Sequence, residues 1–97
     1  MDTASAPTLH GLQEALQAQR AALVRADTEA LLTACVQVQV ALQTARAHLT
    51  VAPPGDPALA QALREQARSL AQLASDNFRL LQARQAQVGT ALAALSP

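Results

Sequence analysis

The sequence predicts an all-α protein, an antiparallel hairpin of two long helices, and three observations lead there. First, alanine (24), leucine (16) and glutamine (12) supply 52 of the 97 residues, while isoleucine, tryptophan and tyrosine are absent. These are helix formers, and the β-branched and aromatic residues that favour strands are scarce. Second, one cluster, Val51-Ala52-Pro53-Pro54-Gly55-Asp56-Pro57, holds three of the five prolines and one of the three glycines. Third, apolar residues on both sides of that cluster recur at steps of three or four, the spacing of helices packed side by side.

Each element follows from local chemistry. The first helix is expected over about 8–49, starting between Pro7 and Leu9 with Ser5 or Thr8 as its cap. Its stripe runs Leu9, Leu12, Leu16, Gln19, Leu23, Asp27, Leu31, Cys35, Val38, Leu42, Ala45 and Leu49. A turn at 50–57 must interrupt it, since Pro-Pro-Gly cannot continue a helix. Asp56 then caps a second helix over about 58–95, with Pro57 at a first-turn position where proline is tolerated. Its stripe runs Leu59, Leu63, Gln66, Leu70, Leu73, Asn77, Leu80 or Leu81, Arg84, Val88, Leu92 and Leu95. Residues 1–97 are read as one helical domain.

Folding the chain back near Ala52 pairs residues whose numbers sum to about 104. Leu9 then meets Leu95, Leu12 meets Leu92, Leu16 meets Val88 and Leu31 meets Leu73. The expected interface comprises Leu12, Leu16, Leu23, Leu31, Leu42, Leu63, Leu70, Leu73, Val88 and Leu92. Asp27 falls level with Asn77, a polar layer that would set register because a slipped alignment strands an amide or a carboxylate, with Arg25 or Arg79 as counter-charge. The alternative for Asp27 and Asn77 is an ordinary solvated surface. For the fold, the alternative is a break in both helices, at Asp27 and at Ser75-Asp76, giving four short helices. A two-helix hairpin leaves Leu32, Val36, Val40 and one of Leu80 and Leu81 beside the seam without cover, so self-association (a homodimer) or a client protein is expected to complete a bundle.

Charge and chemistry exclude several functions. Seven arginines balance seven acidic residues, and neither a basic footprint nor aromatic stacking residues speak for nucleic acid. The longest uncharged stretch, Ala30 to Ala45, is short and contains Gln37, Gln39 and Gln43, so no membrane insertion is expected. No catalytic set, cofactor loop or metal cluster appears: His10 and His48 lie far apart, and Gly11, Gly55 and Gly89 form no phosphate loop. A non-enzyme without cofactor or metal is expected. Cys35, the sole cysteine, lies on the apolar stripe and fits a reduced, cytoplasmic compartment.

The pattern Leu16, Ala22-Leu23, Asp27, Leu31 and Leu42, followed by Asn77, Leu80-Leu81, Val88 and Leu95, resembles that of the FlgN-type flagellar export chaperones. Gln19, Val38 and Ala74 depart from it, standing where that family commonly has glutamate, lysine and asparagine. The resemblance implies a cytoplasmic chaperone of flagellar type III secretion that holds hook-associated proteins one and three by their helical C-terminal segments before export. An amphipathic client helix would dock through i, i+3, i+4 and i+7 anchors. The second helix is the expected docking surface, through Asn77, Leu80, Leu81, Val88, Leu92 and Leu95. Two other classes fit the composition: a structural helical adaptor or coiled-coil oligomer without a client, and a phasin-like surface-coating protein. The absence of lysine and tryptophan anchors speaks against the second.

Overall fold

The computed structural model describes residues 6–51 and 55–95. Three helices make it up: α1 (Ala6–Arg25), α2 (Thr28–Val51) and α3 (Pro57–Leu95). No strand occurs among the described residues. The body measures 63 × 20 × 20 Å, and the long dimension is that of α3, whose 39 residues span roughly 58 Å at the α-helical rise.

The first long helix expected from the sequence is therefore two. Its break falls at Ala26–Asp27, which contains neither glycine nor proline. Hydrogen bonds explain how the chain turns without them. The Ala26 N–H donates to the Leu23 carbonyl (3.3 Å) and the Asp27 N–H to the Ala22 carbonyl (3.0 Å), the bonding of a Schellman helix end. Ala26 occupies the left-handed position, at φ 56°. Asp27 then starts α2, its Oδ1 accepting from the Ala30 N–H (3.1 Å) and its carbonyl from the Leu31 N–H (2.9 Å). One residue thus closes one helix and caps the next. Helix α3 stays continuous through Ser75-Asp76.

The left-handed conformation is costly for alanine because its Cβ crowds the backbone. Ala26→Gly should stabilise the fold by about 0.5–1 kcal/mol, a net of relieved crowding and the greater freedom of unfolded glycine. A lower midpoint in urea unfolding would contradict this account of the turn.

The turn also changes which residues face each other. Helix α1 folds back on α2, and α3 runs parallel to α1, at a separation in number that stays near 60: Asn77 bonds Leu16 and Gln19, and Arg84 bonds Val24. Leu9 therefore does not meet Leu95, nor Leu16 meet Val88. The core gathers Leu9, Leu12, Leu16, Ala45, Leu63 and Leu70, with Val38, Ala41, Leu49, Leu59 and Leu73 packed against it. Of the expected interface, Leu12, Leu16, Leu23, Leu63 and Leu70 are buried, and Leu31 and Leu73 are half-buried. Leu42, Val88 and Leu92 are exposed instead, Val88 beside the end of α1 and Leu92 beyond it.

Asp56 caps α3, its Oδ1 accepting from the Ala58 N–H (2.9 Å) and its carbonyl from the Ala60 N–H (2.9 Å). Thr8 lies inside α1, and Ser5, Ala52, Pro53 and Pro54 lie outside the described residues.

Candidate functional site, an apolar groove

Helix α1 packs against both α2 and α3, whereas α2 and α3 do not approach each other backbone to backbone. Three helices so arranged leave a channel with α1 as its floor. Small side chains keep it open: Ala45 on α2 and Ala67, Ala71 and Ala74 on α3 stand where leucines would fill it. The channel is continuous. A lower cavity of about 300 Å³ and a central one of about 220 Å³ share Leu16, Val38 and Ala74. An upper cavity of about 210 Å³ at the α1–α2 turn shares Leu23, Leu31 and Leu81 with the central one. The lower part is almost wholly apolar, with Arg46 at its margin.

One polar chain crosses the middle and ties the three helices together. Asn77 of α3, 2% exposed, donates through Nδ2 to the Leu16 carbonyl and to Gln19 Oε1 of α1, both at 2.9 Å. Gln19 Nε2 in turn donates to Cys35 Sγ of α2 at 3.4 Å. With two acceptors in front of it, the Asn77 amide must present its nitrogen there. Its Oδ1 is consequently buried without a partner, an arrangement that costs free energy unless something supplies a donor.

The residues expected to act separate into three groups. Leu81 and Val88 line the groove, at its centre and upper end, and Asn77 lines it as a buried residue, so it offers no open surface for direct docking. Leu80 is half-buried outside the groove lining. Leu92 and Leu95 lie beyond α1, 61% and 81% exposed. Asp27 and Asn77 do not form a joint layer: Asp27 is an exposed cap, and the partners of Asn77 are Leu16 and Gln19. The parallel course of α1 and α3 is the cause, since it places Asn77 beside the middle of α1 and leaves Asp27 at its end. Among the described residues no arginine pairs with Asp27.

Several groove residues escaped the sequence reading. Phe78, the only aromatic, is 59% exposed on the central lining, and Val38, placed on the first stripe but in neither the expected interface nor the docking surface, lines the lower and central parts. A lone exposed aromatic beside a buried asparagine was the available signal. Arg84, a charge on the expected stripe of the second helix, donates through Nη2 to the Val24 carbonyl (3.1 Å) and so caps the C-terminal end of α1. His10 and Glu14, one turn apart, pair at 3.4 Å on the exposed side of α1, also unanticipated. Leu32, Val36 and Val40 form a second exposed apolar stripe on α2. Among the described residues no group of side chains could hold a metal ion, and no helix is long and apolar enough to cross a membrane.

Comparison with known proteins adds no relative: no family model, no curated protein and no solved structure matches the chain.

Proposed function

We propose that this protein holds an amphipathic client helix in the groove between α2 and α3, as a chaperone of the FlgN type would. The carrying observation is the continuous channel, almost wholly apolar in its lower part, which occupies the position of the missing fourth helix of a bundle. A helix laid there with apolar residues at i, i+3, i+4 and i+7 would bury its stripe against α1 while its polar face stayed in water. The unsatisfied Asn77 Oδ1 on the channel lining accords with a site unfinished until something occupies it. On the resemblance noted above, the clients are the helical C-terminal segments of hook-associated proteins one and three, held in the cytoplasm before export.

Titration calorimetry with those two segments tests the reading. Phe78→Glu should weaken capture at least tenfold with helicity and melting unchanged, and Leu42→Glu should weaken it equally at some loss of stability, since Leu42 is 37% exposed. The Phe78 side chain is 59% exposed in the free protein, so its new carboxylate is desolvated only when a client covers it. Absence of binding by either segment would remove the flagellar assignment. Binding undiminished in both variants would remove the groove as the docking site.

A further inference from the structure

Among the described residues, Asn77 Oδ1 is the buried side-chain atom that finds no partner, and Asn77 lies on the lining of the central cavity. Gln19 is the other polar side chain there, and Leu23, Leu31, Phe78 and Leu81 belong to the apolar remainder. Both polar atoms of the Gln19 amide are engaged: Oε1 accepts from Asn77 Nδ2, and Nε2 donates to Cys35 Sγ. Asn77 Nδ2 also donates to the Leu16 carbonyl. Oδ1 alone is left over, in a residue 2% exposed.

Water is a poor answer to that atom. A buried water needs roughly two to four polar partners, and the side chains of this lining leave one open. The occupant that fits is an apolar body with one donor and no acceptor. Among side chains this describes the indole of tryptophan, whose ring N–H donates and which accepts nothing. A hydroxyl or a carboxamide would bring acceptors that leucine and phenylalanine cannot satisfy, and an ammonium or guanidinium would bring a charge to desolvate. Size agrees. The cavity measures about 220 Å³, and an apolar one of about 150 Å³ holds benzene, so a two-ring system is in range. Phe78, 59% exposed on the lining, offers an aromatic ring for offset or edge-to-face contact.

We infer that the central cavity is a pocket for a tryptophan indole carried by the helix that lies in the groove, its N–H donating to Asn77 Oδ1. For the source of the ring the inference rests on the client reading. The chain has no tryptophan or tyrosine of its own, so a second copy cannot supply it. The channel continues on both sides of the cavity, which places the pocket under a passing helix. Oδ1 is shut off from water in the free protein, so seating the ring includes the turn of a lining side chain.

Free indole and benzofuran, which has the same shape with a ring oxygen in place of the N–H, are the first probes. Followed by NMR on the full chain, indole should shift the methyl signals of Leu23, Leu31 and Leu81. It should bind about fivefold or more tighter than benzofuran, the effect of one hydrogen bond to a buried acceptor. Asn77→Leu should bring the two ligands to the same affinity. Indole that leaves those methyls unmoved overturns the inference. So does equal binding of benzofuran by the wild-type chain, a comparison that needs no variant, and so does selectivity that survives Asn77→Leu. The second probe is an amphipathic Ala/Leu helical peptide with one tryptophan in its apolar stripe. It should bind at least tenfold tighter than free indole, and tighter than the same peptide with naphthylalanine at that position. A peptide that binds no tighter than indole overturns the helix as the source of the ring. Failure of both hook-associated segments to bind removes the flagellar clients and leaves the pocket, whereas capture of a segment without indole selectivity removes the pocket and leaves the groove.

Discussion

Replacing Asn77 by aspartate should destabilise the protein by about 3 kcal/mol or more at neutral pH, the largest effect expected of any single change to its polar groups. The two are nearly the same size, so packing is not the cause. At present the Asn77 nitrogen faces two acceptors, the Leu16 carbonyl and Gln19 Oε1, each at 2.9 Å. A carboxylate oxygen in that place would face both with nothing to donate. Gln19 can turn its amide to donate, giving up Cys35, but the Leu16 carbonyl belongs to the helix and cannot turn. The penalty carries a pH signature. Burial against acceptors raises the folded-state pKa of the new carboxyl above its ordinary value of about 3.9. The variant should therefore approach wild-type stability below about pH 4, where the protonated acid can donate to Leu16, and lose it as pH rises toward the folded value. Asn77→Leu, which strands no charge, should stay within about 1 kcal/mol of wild type. Chemical denaturation of the three proteins between about pH 3 and 7 checks both statements. A flat difference between Asn77→Asp and wild type across that range would show that the carboxylate is solvated.

Leu16→Ala should cost about 3–4 kcal/mol, in the middle of the usual range for a buried leucine. Leu16 is 3% exposed and belongs to the core shared by residues of all three helices. It also forms part of the boundary between the lower and central cavities, where the structure already has open space. Removing it joins that space to a new void that no neighbour can collapse into without shifting a helix. Leu32→Ala is the comparison: at 62% exposure on the outer side of α2 it should change stability by less than about 0.5 kcal/mol. A small loss at Leu16 would mean that α3 is held to α1 by something other than this layer.

Helix content and the proline-rich turn were legible because composition and Pro-Pro-Gly act locally, whatever the tertiary arrangement. The break at Ala26–Asp27 was not, and the reason lies in the stripe itself. Leu23, Asp27 and Leu31 follow at steps of four, so periodicity runs unbroken through a place where the backbone reverses. Helix ends are usually signalled by glycine, and here alanine takes the left-handed position. The residual signal was the Asp27-Thr28-Glu29 run, a cap with an acid in the first turn, which marks a helix start even inside a helical pattern. Missing it reversed the expected direction of α3 relative to the first twenty residues and produced the false level of Asp27 with Asn77. The site was legible only in part for the same cause. Leu81 and Val88 were anticipated on the apolar face of α3, but a groove is a space between elements, and its position depends on which helices meet. Asn77 stood out as polar on an apolar stripe, while its partners Leu16 and Gln19 depend on the parallel course of α1 and α3.

The lack of backbone contact between α2 and α3 has a mechanical consequence. Each wall is attached to the floor, and the floor side of α2 carries small residues, Ala34 and Ala45, both buried. Val38 and Leu49 also pack against the core, so larger side chains interrupt this alanine track. Among the described residues the Gln19–Cys35 bond is the one side-chain hydrogen bond between α1 and α2, and no backbone contact between the walls fixes their spacing. If the groove holds a client helix as proposed, walls joined only through the floor would seat helices with leucine, methionine or phenylalanine at the same anchor position without a change of fold. On that reading selectivity falls to the pattern of anchors along the groove, with little discrimination by the bulk of any one of them.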